Sequence, residues 1–260
     1  RSIKNDVTRF RAIVDFFGAD CLVATLSKQD IERFRDDLSR RTTRRGRKMA
    51  PATVNRHLAL LRSALRNVMG EYLHRNPMQG VKFLAERNKR ERECEPSEYE
   101  RLLANADPDL HLAIVLAYEA GLRRVEVCGV RREHVNLKRR EILIPVESSK
   151  TDSSRVVPLT KKAVAEIKAA PTRIDGLLVG LDLDEVSRGF RKLCADAGIR
   201  HLTFHDLRGT AITRLARAGA SLDELQRFSG HKSVQALMKY LKRGDKRLRK
   251  LVAAMEGEGA

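Results

Sequence analysis

The sequence contains only four cysteines, and no two of them form a CxxC pair. They lie far apart in the chain, at Cys21, Cys94, Cys128 and Cys194. Zinc ribbons and CxxC redox motifs need closely spaced pairs, so this distribution argues against both. Reduced, structural thiols in a cytosolic protein are therefore the expectation.

Segments that direct a protein into a membrane are also missing. The sequence has no signal peptide, no apolar run of transmembrane length, no internal repeat and no long low-complexity tract. It begins at Arg1 rather than at a methionine, so we expect that an N-terminal piece is missing. The 260 residues, of which 42% are hydrophobic, suffice for one large or two ordinary domains.

Acidic residues are scarce relative to basic ones. The chain has 34 Asp+Glu against 52 Lys+Arg, a formal net charge of +18. Positive charge is denser in residues 1–95, with 22 Lys+Arg against 12 Asp+Glu, than in residues 96–260, with 30 against 22. Such an excess suits a polyanion, because neutralised phosphates release counterions. It favours a nucleic-acid-binding protein, with a merely basic or ribosomal-type protein as the alternative.

The first part of the chain has the pattern of a small helical domain. The first helix is predicted from apolar residues at helical spacing, which are Ile3, Val7, Phe10, Val14 and Phe17. Ser27 and Asp30 resemble a capping box at the start of a second helix, and Pro51 suits the start of a third. We predict a helical domain over residues 1–85 and a charged linker over 86–95.

Two basic surfaces of this helical part are candidates for contact with DNA phosphates. One is a loop in which six of nine residues are cationic, namely Arg40, Arg41, Arg44, Arg45, Arg47 and Lys48. The other is a face of the third helix that carries Asn55, Arg62 and Arg66. A flexible basic loop and a solvated helix face are the respective alternatives.

From residue 96 onward, helical patterns surround two β-like runs at 141–145 and 155–159. The runs flank a polar turn at 148–154, which predicts an antiparallel hairpin. Helical patterns resume at 160–169 and 183–197 and continue to the end. The expected fold class is therefore mainly α with a small antiparallel β-sheet.

Reactive side chains occur in four local motifs of this second part. The motifs are GLRRVEV at 121–127, KT at 150–151 followed by RVVPL at 155–159, TFHDLRGT at 203–210, and GH at 230–231 with Tyr240 nine positions after His231. Arginine and histidine together bind phosphate, and a phenol beside them can attack it. The four motifs point to chemistry on a phosphodiester.

In this order the motifs resemble the tyrosine recombinase family of phage integrases and Xer-like site-specific recombinases. The resemblance covers the second part throughout and, less specifically, the helical first part. It implies an N-terminal helical core-binding domain over 1–85 and an α+β catalytic domain, with a C-terminal tail, over 96–260. Ala120 stands where the family often has Thr, and Ser229 where it often has Leu. Neither position carries a reactive group, and both are expected to tune packing or rate.

The resemblance implies a role for each reactive side chain. Arg123 and Arg208 would hold the scissile phosphate, and His231 would hydrogen-bond to it. Lys150 would be the general acid that protonates the leaving 5′ oxygen, and Tyr240 would be the nucleophile. Guanidinium suits the first role because it offers paired donors that Lys cannot reproduce.

Two further residues are candidates from their local context. Thr203 and Asp206 resemble an N-cap, which puts His205 in the first turn of a helix, where anions are favoured. His205 is a candidate to donate to phosphate or to accept the phenol proton. Glu126, three residues after Arg123, is expected to hold that arginine by an ion pair, with an ordinary surface acid as the alternative.

These roles predict a DNA recombinase or integrase of a mobile element or chromosome that works through a 3′-phosphotyrosyl intermediate, without cofactor or metal ion. The expected partner is double-stranded DNA, which the two domains would clamp. The chain is expected to form a homotetramer in the synaptic complex and to be a monomer off DNA. Accessory DNA-bending proteins are further candidate partners. A cytoplasmic, nucleoid-associated protein of prokaryotic or phage origin is expected. The tail at 244–255 is hypothesised to pack onto a neighbouring protomer. A type IB topoisomerase and a non-catalytic DNA-binding regulator are the alternatives.

Overall fold

The structure is a computed structural model that describes residues 3–43, 46–86, 92–145 and 154–241. The chain divides into two compact units, Arg1–Arg90 and Glu91–Ala260. The linker expected at 86–95 stays a prediction, because residues 87–91 lie outside the described residues. The tail at 244–255 lies outside them as well.

The first unit is helical. Its helices are α1 (Ile3–Phe17), α2 (Lys28–Arg40) and α3 (Pro51–Asn67). The capping box is present at the start of α2, where the Ser27 amide donates to Asp30 at 2.9 Å. Pro51 occupies the first turn of α3, where a missing N–H costs nothing. Both sequence signals for helix starts are therefore confirmed.

The core of the first unit forms between the apolar faces of α2 and α3 and the second half of α1. Phe34 of α2 is fully buried, and its ring lies 5.1 Å from that of Phe16 and 5.3 Å from that of Phe17. The first helix is confirmed as α1, but the apolar side chains of its first half lie outside the core, since Ile3 is 75% exposed and Phe10 is 52% exposed. The core-facing side of α1 is instead set by its C-terminal aromatic residues.

The second unit is mainly helical with one small sheet, as predicted. Its helices are α4 (Pro96–Asn105), α5 (Pro108–Glu119), α6 (Arg124–Gly129), α7 (Lys161–Ala169), α8 (Leu183–Asp196), α9 (Phe204–Arg217), α10 (Leu222–Ser229) and α11 (Met238–Leu241). The strands are β1 (Val135–Asn136), β2 (Glu141–Ile144) and β3 (Arg155–Pro158), in antiparallel order β1-β2-β3.

The predicted strand pair is confirmed by the register of β2 and β3, in which Ile142 faces Val157 and Leu143 faces Val156. Ile142 and Val157 are fully buried. The alternation thus places one face of the sheet on the core. The turn predicted at 148–154 falls almost entirely within residues 146–153, which lie outside the described part of the chain.

Helix α5 is the centre of the second unit. Every residue from Leu112 to Tyr118 is buried, and the helix contacts α4, α6, α7, α8 and α9. The Tyr118 ring stacks on Tyr99 of α4 at 3.8 Å, and the Arg214 guanidinium of α9 lies 4.5 Å from the Tyr118 ring centre. These contacts fix α9 against α5. No helix among the described residues is long and apolar enough to cross a membrane.

Candidate active site

Glu126 of α6 lies at the centre of a cluster of arginines, and its side chain is fully buried. Arg155 of β3 donates from Nη1 to Oε1 at 2.8 Å and from Nη2 to Oε2 at 2.7 Å. Arg123 donates from Nη1 to Oε1 at 2.7 Å. Arg208 of α9 brings its Nη1 to 3.8 Å from Oε2. One carboxylate among three guanidinium groups leaves a net positive charge.

The environment of Glu126 favours its charged form. Burial alone would raise the pKa of the carboxyl, but the hydrogen bonds and charge of Arg155, together with those of Arg123, hold it below its ordinary value. The ion pair expected between Glu126 and Arg123 is present, and Glu126 is not a surface acid.

Arg208 is the most deeply buried of the three arginines, with 2% of its side chain exposed. Its guanidinium donates to the carbonyls of Gly121 and Ser229. Burial, followed by the charge of Arg123, lowers the pKa of Arg208 to about 9, which leaves the group charged at pH 7. Desolvation is tolerated here because carbonyl and carboxylate oxygens replace the lost water.

Three consecutive carbonyls at the C-terminal end of α10 accept hydrogen bonds from the three arginines. Arg155 Nε donates to the carbonyl of Phe228 at 3.1 Å, Arg208 Nη2 to that of Ser229, and Arg123 Nη2 to that of Gly230 at 2.8 Å. The last carbonyls of a helix have no partner within it and carry partial negative charge. The end of α10 is thus capped by side chains from the N-cap of α6, from β3 and from α9.

Gly230 ends α10 in the left-handed conformation, with φ of +60°. A Cβ atom built at this position would lie 3.1 Å from Cδ of Arg155. Glycine therefore permits both the backbone turn and the close approach of Arg155. His231 follows directly, and its Nδ1 lies 2.7 Å from Oγ of Ser229.

Tyr240 lies in α11, and its backbone amide donates to the carbonyl of Leu237 at 2.9 Å. Its half-buried ring packs against a small apolar cluster formed by Ile212, Leu225 and Leu237. A Cβ atom built on Gly209 would lie 4.0 Å from the phenol oxygen. The phenol therefore lies beside α9, next to the residue that follows Arg208.

His205 is exposed in the first turn of α9. The start of this helix is held by the Thr203 amide, which donates to the Asp206 carboxylate at 2.7 Å. The cap signal is therefore confirmed. Lys150 lies outside the described residues, in the segment between β2 and β3.

An open cavity of about 710 Å³ borders this cluster. It is lined by Ser154, Arg155, Val156, Asp223, Gln226, Arg227, Gly230, His231 and Lys232. The cations on its lining are Arg155 of β3, Arg227 of α10 and Lys232 of the following turn, and the lining also carries the carboxylate of Asp223. The excess of positive charge suits an anion site.

Sequence reasoning gave no role to Arg155 and expected Ser229 only to tune packing or rate, although both lie in or beside the quoted motifs. Arg155 contacts Glu126 across 29 residues of sequence, and Arg208 contacts the carbonyl of Ser229 across 21. Only the fold brings these pairs together. The available signal was the position of Arg155 within RVVPL and of Ser229 directly before Gly-His.

The basic loop of the first unit is a closed turn over its described residues. The Thr43 amide donates to the Arg47 carbonyl at 2.7 Å, and the Met49 amide donates to the Arg41 carbonyl at 3.0 Å. Arg41 is half-buried and paired with Asp37 at 2.7 Å. The exposed cations of the loop are Arg40, Arg47 and Lys48, whereas Arg44 and Arg45 lie outside the described residues.

The exposed face predicted on α3 is wrong for Asn55. Only 7% of this residue is exposed, and its amide nitrogen donates to the Leu84 carbonyl at 2.9 Å and to Glu86 at 2.7 Å. Its side chain therefore ties the 84–86 segment to α3 and does not face outward. Arg62 and Arg66 of the same helix are exposed, and their contact with DNA stays a prediction.

Comparison with known proteins identifies the family of the chain. Residues 92–247 match the phage integrase family, and the chain belongs to that family. A shufflon-specific DNA recombinase of Escherichia coli is 29% identical over 218 residues, covering 81% of this chain and 56% of that protein. The integrase of Salmonella phage P22 is 27% identical over 208 residues, covering 74% and 54%. The chain thus spans a little over half the length of these two relatives.

Solved structures share the fold. The Tn1549 transposon integrase in complex with transposon right end DNA has a TM-score of 0.76 at 18% identity, covering 100% of this chain and 95% of that one. A lambda integrase dimer bound to a COC′ core site has a TM-score of 0.74 at 18% identity, covering 92% and 87%. The fold class is that of the tyrosine recombinases.

Proposed function

We propose that this chain is a site-specific DNA recombinase that cleaves and rejoins DNA strands through a 3′-phosphotyrosyl intermediate. The observation that supports it most is the pair Arg123 and Arg208, clustered around Glu126, with the phenol of Tyr240 beside the same helix as Arg208. Double-stranded DNA is the proposed substrate. The formal net charge of +18 and the DNA-bound integrases of the same fold support that choice.

Arg123 and Arg208 are proposed to bind the non-bridging oxygens of the scissile phosphate. A guanidinium carries five N–H donors, more than the contacts described for either residue use. The carbonyls of Gly121, Ser229 and Gly230 hold both groups in orientation before substrate binds. Fixed cations where negative charge develops lower the barrier without reorganising during the reaction.

Tyr240 is the proposed nucleophile, and it needs a proton acceptor. A protonated phenol is a weak nucleophile, so a neighbouring group has to take its proton as it attacks. His205, exposed in the first turn of α9, is the proposed acceptor. General-base assistance of this kind lowers the barrier of the attacking step.

The proposed step exchanges one ester bond for another. The bond between Tyr240 Oη and phosphorus forms while the bond between phosphorus and the 5′ oxygen breaks. The phenol proton passes to His205, and Lys150 supplies a proton to the leaving 5′ oxygen. A 5′ hydroxyl of another strand then attacks the phosphorus and passes its proton to Lys150, while the bond to Tyr240 Oη breaks and His205 returns the proton to the phenol. The bond energy is conserved in the covalent intermediate, so the exchange requires no external energy source.

We assign the core-binding role to residues 1–85, joined to the catalytic part by 86–95. The cations proposed to contact DNA phosphates there are Arg40, Arg41, Arg44, Arg45, Arg47, Lys48, Arg62 and Arg66. Full recombination would require four protomers on two DNA sites. A recombinase acts at the chromosome, so association with the nucleoid is part of the proposal.

The proposal is tested by trapping the covalent intermediate with the full chain. Nicked suicide duplexes with a randomised centre release the 5′-hydroxyl fragment, so that an adduct, once formed, cannot be reversed. The native chain should give denaturation-resistant protein–DNA adducts whose sequence identifies the site. Tyr240→Phe should bind the selected duplex and form no adduct, whereas Tyr72→Phe, at an exposed tyrosine of the first unit, should form adducts normally.

Other outcomes would replace this function by one of the alternatives. Adduct formation by Tyr240→Phe at the native yield would exclude Tyr240 as the nucleophile. Relaxation of supercoiled plasmid by a monomer without site preference would indicate a topoisomerase. Tight site-specific binding by the native chain, without any adduct, would indicate a DNA-binding regulator.

A further inference from the structure

Ser229, the last residue of α10, is completely buried and makes three polar contacts. Its Oγ donates to the carbonyl of Leu225 at 2.6 Å, and the same Oγ lies 2.7 Å from Nδ1 of His231. Its own carbonyl accepts from Arg208. The residue therefore touches one side chain proposed to bind phosphate and, through its backbone, another.

The Ser229 hydroxyl has a single proton, and the position of that proton determines which group donates in each contact. Two oxygens 2.6 Å apart form a hydrogen bond only if a proton lies between them, so the proton lies toward the Leu225 carbonyl. Oγ then has only lone pairs to offer to His231. The ring nitrogen at 2.7 Å must be the donor, as Nδ1–H.

We infer that Ser229 is a positioning residue that holds His231 in the Nδ1–H form. Which ring nitrogen of a histidine carries the proton is set by the hydrogen bond that the other one makes. With Nδ1 committed to Ser229, Nε2 of the neutral ring carries a lone pair. Nε2 can donate to a phosphate oxygen only after the ring gains its second proton.

This inference rests on the proposed function for its catalytic consequence, though not for its structural content. If His231 donates to the scissile phosphate, cleavage by this chain requires the imidazolium form. Without the Ser229 hydroxyl, the neutral ring could carry its proton on Nε2 and donate to a phosphate oxygen without a charge.

Charged groups among the described residues of this part of the site include Arg155 of β3, Asp223 and Arg227 of α10, Lys232 of the following turn, Arg123 and Glu126 at α6, and Arg208 of α9. Because Ser→Ala removes no charge from this set, Ser229→Ala isolates the hydroxyl contact.

The structural part is tested in the full chain without DNA, by nitrogen NMR of ¹⁵N-labelled histidine, with His231→Gln to assign the signals. In the native chain near pH 8, Nδ1 of His231 should be protonated and Nε2 unprotonated. Ser229→Ala should move the neutral ring toward the Nε2–H form. The matched control is Thr213→Val, which removes another buried hydroxyl that bonds to a carbonyl four residues earlier, and it should leave His231 unchanged. A native His231 in the Nε2–H form would overturn the inference.

The catalytic part is tested by the pH dependence of adduct formation on a duplex selected as described above. Loss of one orienting hydrogen bond should slow Ser229→Ala by about threefold to tenfold at low pH. At high pH the difference should shrink or reverse, because the neutral ring of the variant can still donate. Parallel pH profiles for native chain and variant would overturn this part. Failure of the proposed function would instead appear as no Tyr240-dependent adduct, with the NMR result unaffected.

Discussion

Arg155 binds both carboxylate oxygens of Glu126, at 2.8 and 2.7 Å, and thereby joins β3 to the start of α6. Such a paired contact uses the planar geometry of the guanidinium, which a single ammonium group does not have. The carboxylate is fully buried, so the charge of Glu126 depends on its arginine partners for compensation. This pair underlies the first two predictions.

Arg155→Ala should lower the free energy of unfolding by about 3–5 kcal/mol, because it removes a partner from a buried ion pair. Arg155→Lys should restore little, since lysine lacks the planar pair of parallel N–H donors and the Nε that bonds to the Phe228 carbonyl. Urea unfolding measures both effects. Arg227→Ala, which breaks an exposed pair with Asp223, should change stability by no more than about 0.5 kcal/mol. If Arg155→Ala lowered the free energy of unfolding no more than Arg227→Ala does, the Arg155–Glu126 pair would not stabilise the fold as a buried ion pair.

Glu126→Gln should change how stability depends on pH. The folded-state pKa of Glu126 is lowered, so its carboxylate stabilises the fold fully above the unfolded-state pKa, about 4.3 for an ordinary Glu. That contribution is lost as pH falls through the lower folded-state pKa. The stability difference between native chain and Glu126→Gln should therefore narrow as the pH falls below the unfolded-state pKa of about 4.3. Glu100→Gln, which alters an exposed pair with Lys162, is the control, and its stability difference from the native chain should change little over the same pH range. If both variants showed the same change with pH, the prediction for Glu126 would be refuted.

Gly121→Ala should destabilise the second unit more than Gly198→Ala does. Both glycines have positive φ, +63° and +67°, so each substitution incurs a conformational cost of about 1–2 kcal/mol. Only at Gly121 would the new Cβ also meet a side chain, 2.7 Å from Phe228 Cε1, whereas no atom lies within 4 Å at Gly198. Overpacking should add about 1–3 kcal/mol, measurable by thermal or urea unfolding. Equal losses would mean that Phe228 moves aside freely.

The basic turn after α2 should contribute to the salt dependence of DNA binding. Each phosphate contact contributes roughly 0.9 to the slope of log K against log salt concentration. Arg47→Ala and Lys48→Ala should therefore each reduce the slope by up to about this amount, in duplex-binding titrations over a range of salt. Arg33→Ala, which removes a cation already paired with Asp30, should leave the slope unchanged. An unaltered slope in both test variants would show that the turn does not touch phosphate.

Local signals predicted local structure well. The cap at Ser27, the cap at Thr203 and the β2–β3 pair follow from a few adjacent residues, and all three are present. The helix α1 was also predicted correctly, but its apolar periodicity does not reveal which of its side chains are buried. Asn55 was misread for a related reason, since its amide serves a segment about 30 residues later in the chain.

In the candidate site, too, sequence patterns identified individual residues but not the contacts between distant segments. The motifs identified Arg123, His205, Arg208, His231 and Tyr240 as residues of interest. The role of Ser229 depends on a hydroxyl that lies 2.7 Å from an imidazole, and sequence reasoning treated this position as one without a reactive group. The hydrogen bonds from Arg155 to Glu126 likewise form only because β3 packs next to α6. Both contacts depend on distances between elements of the fold, which a sequence pattern within one element does not reveal.

The three carbonyls at the end of α10 give the cluster a thermodynamic property of its own. Because Phe228, Ser229 and Gly230 each bind a different arginine, no one of Arg155, Arg208 and Arg123 can leave its position without loosening the terminus that holds the other two. Residues that share partners in this way have non-additive energies. The anion site should therefore form or melt as one cooperative unit, and His231, one residue beyond that terminus, should gain or lose its orientation with it.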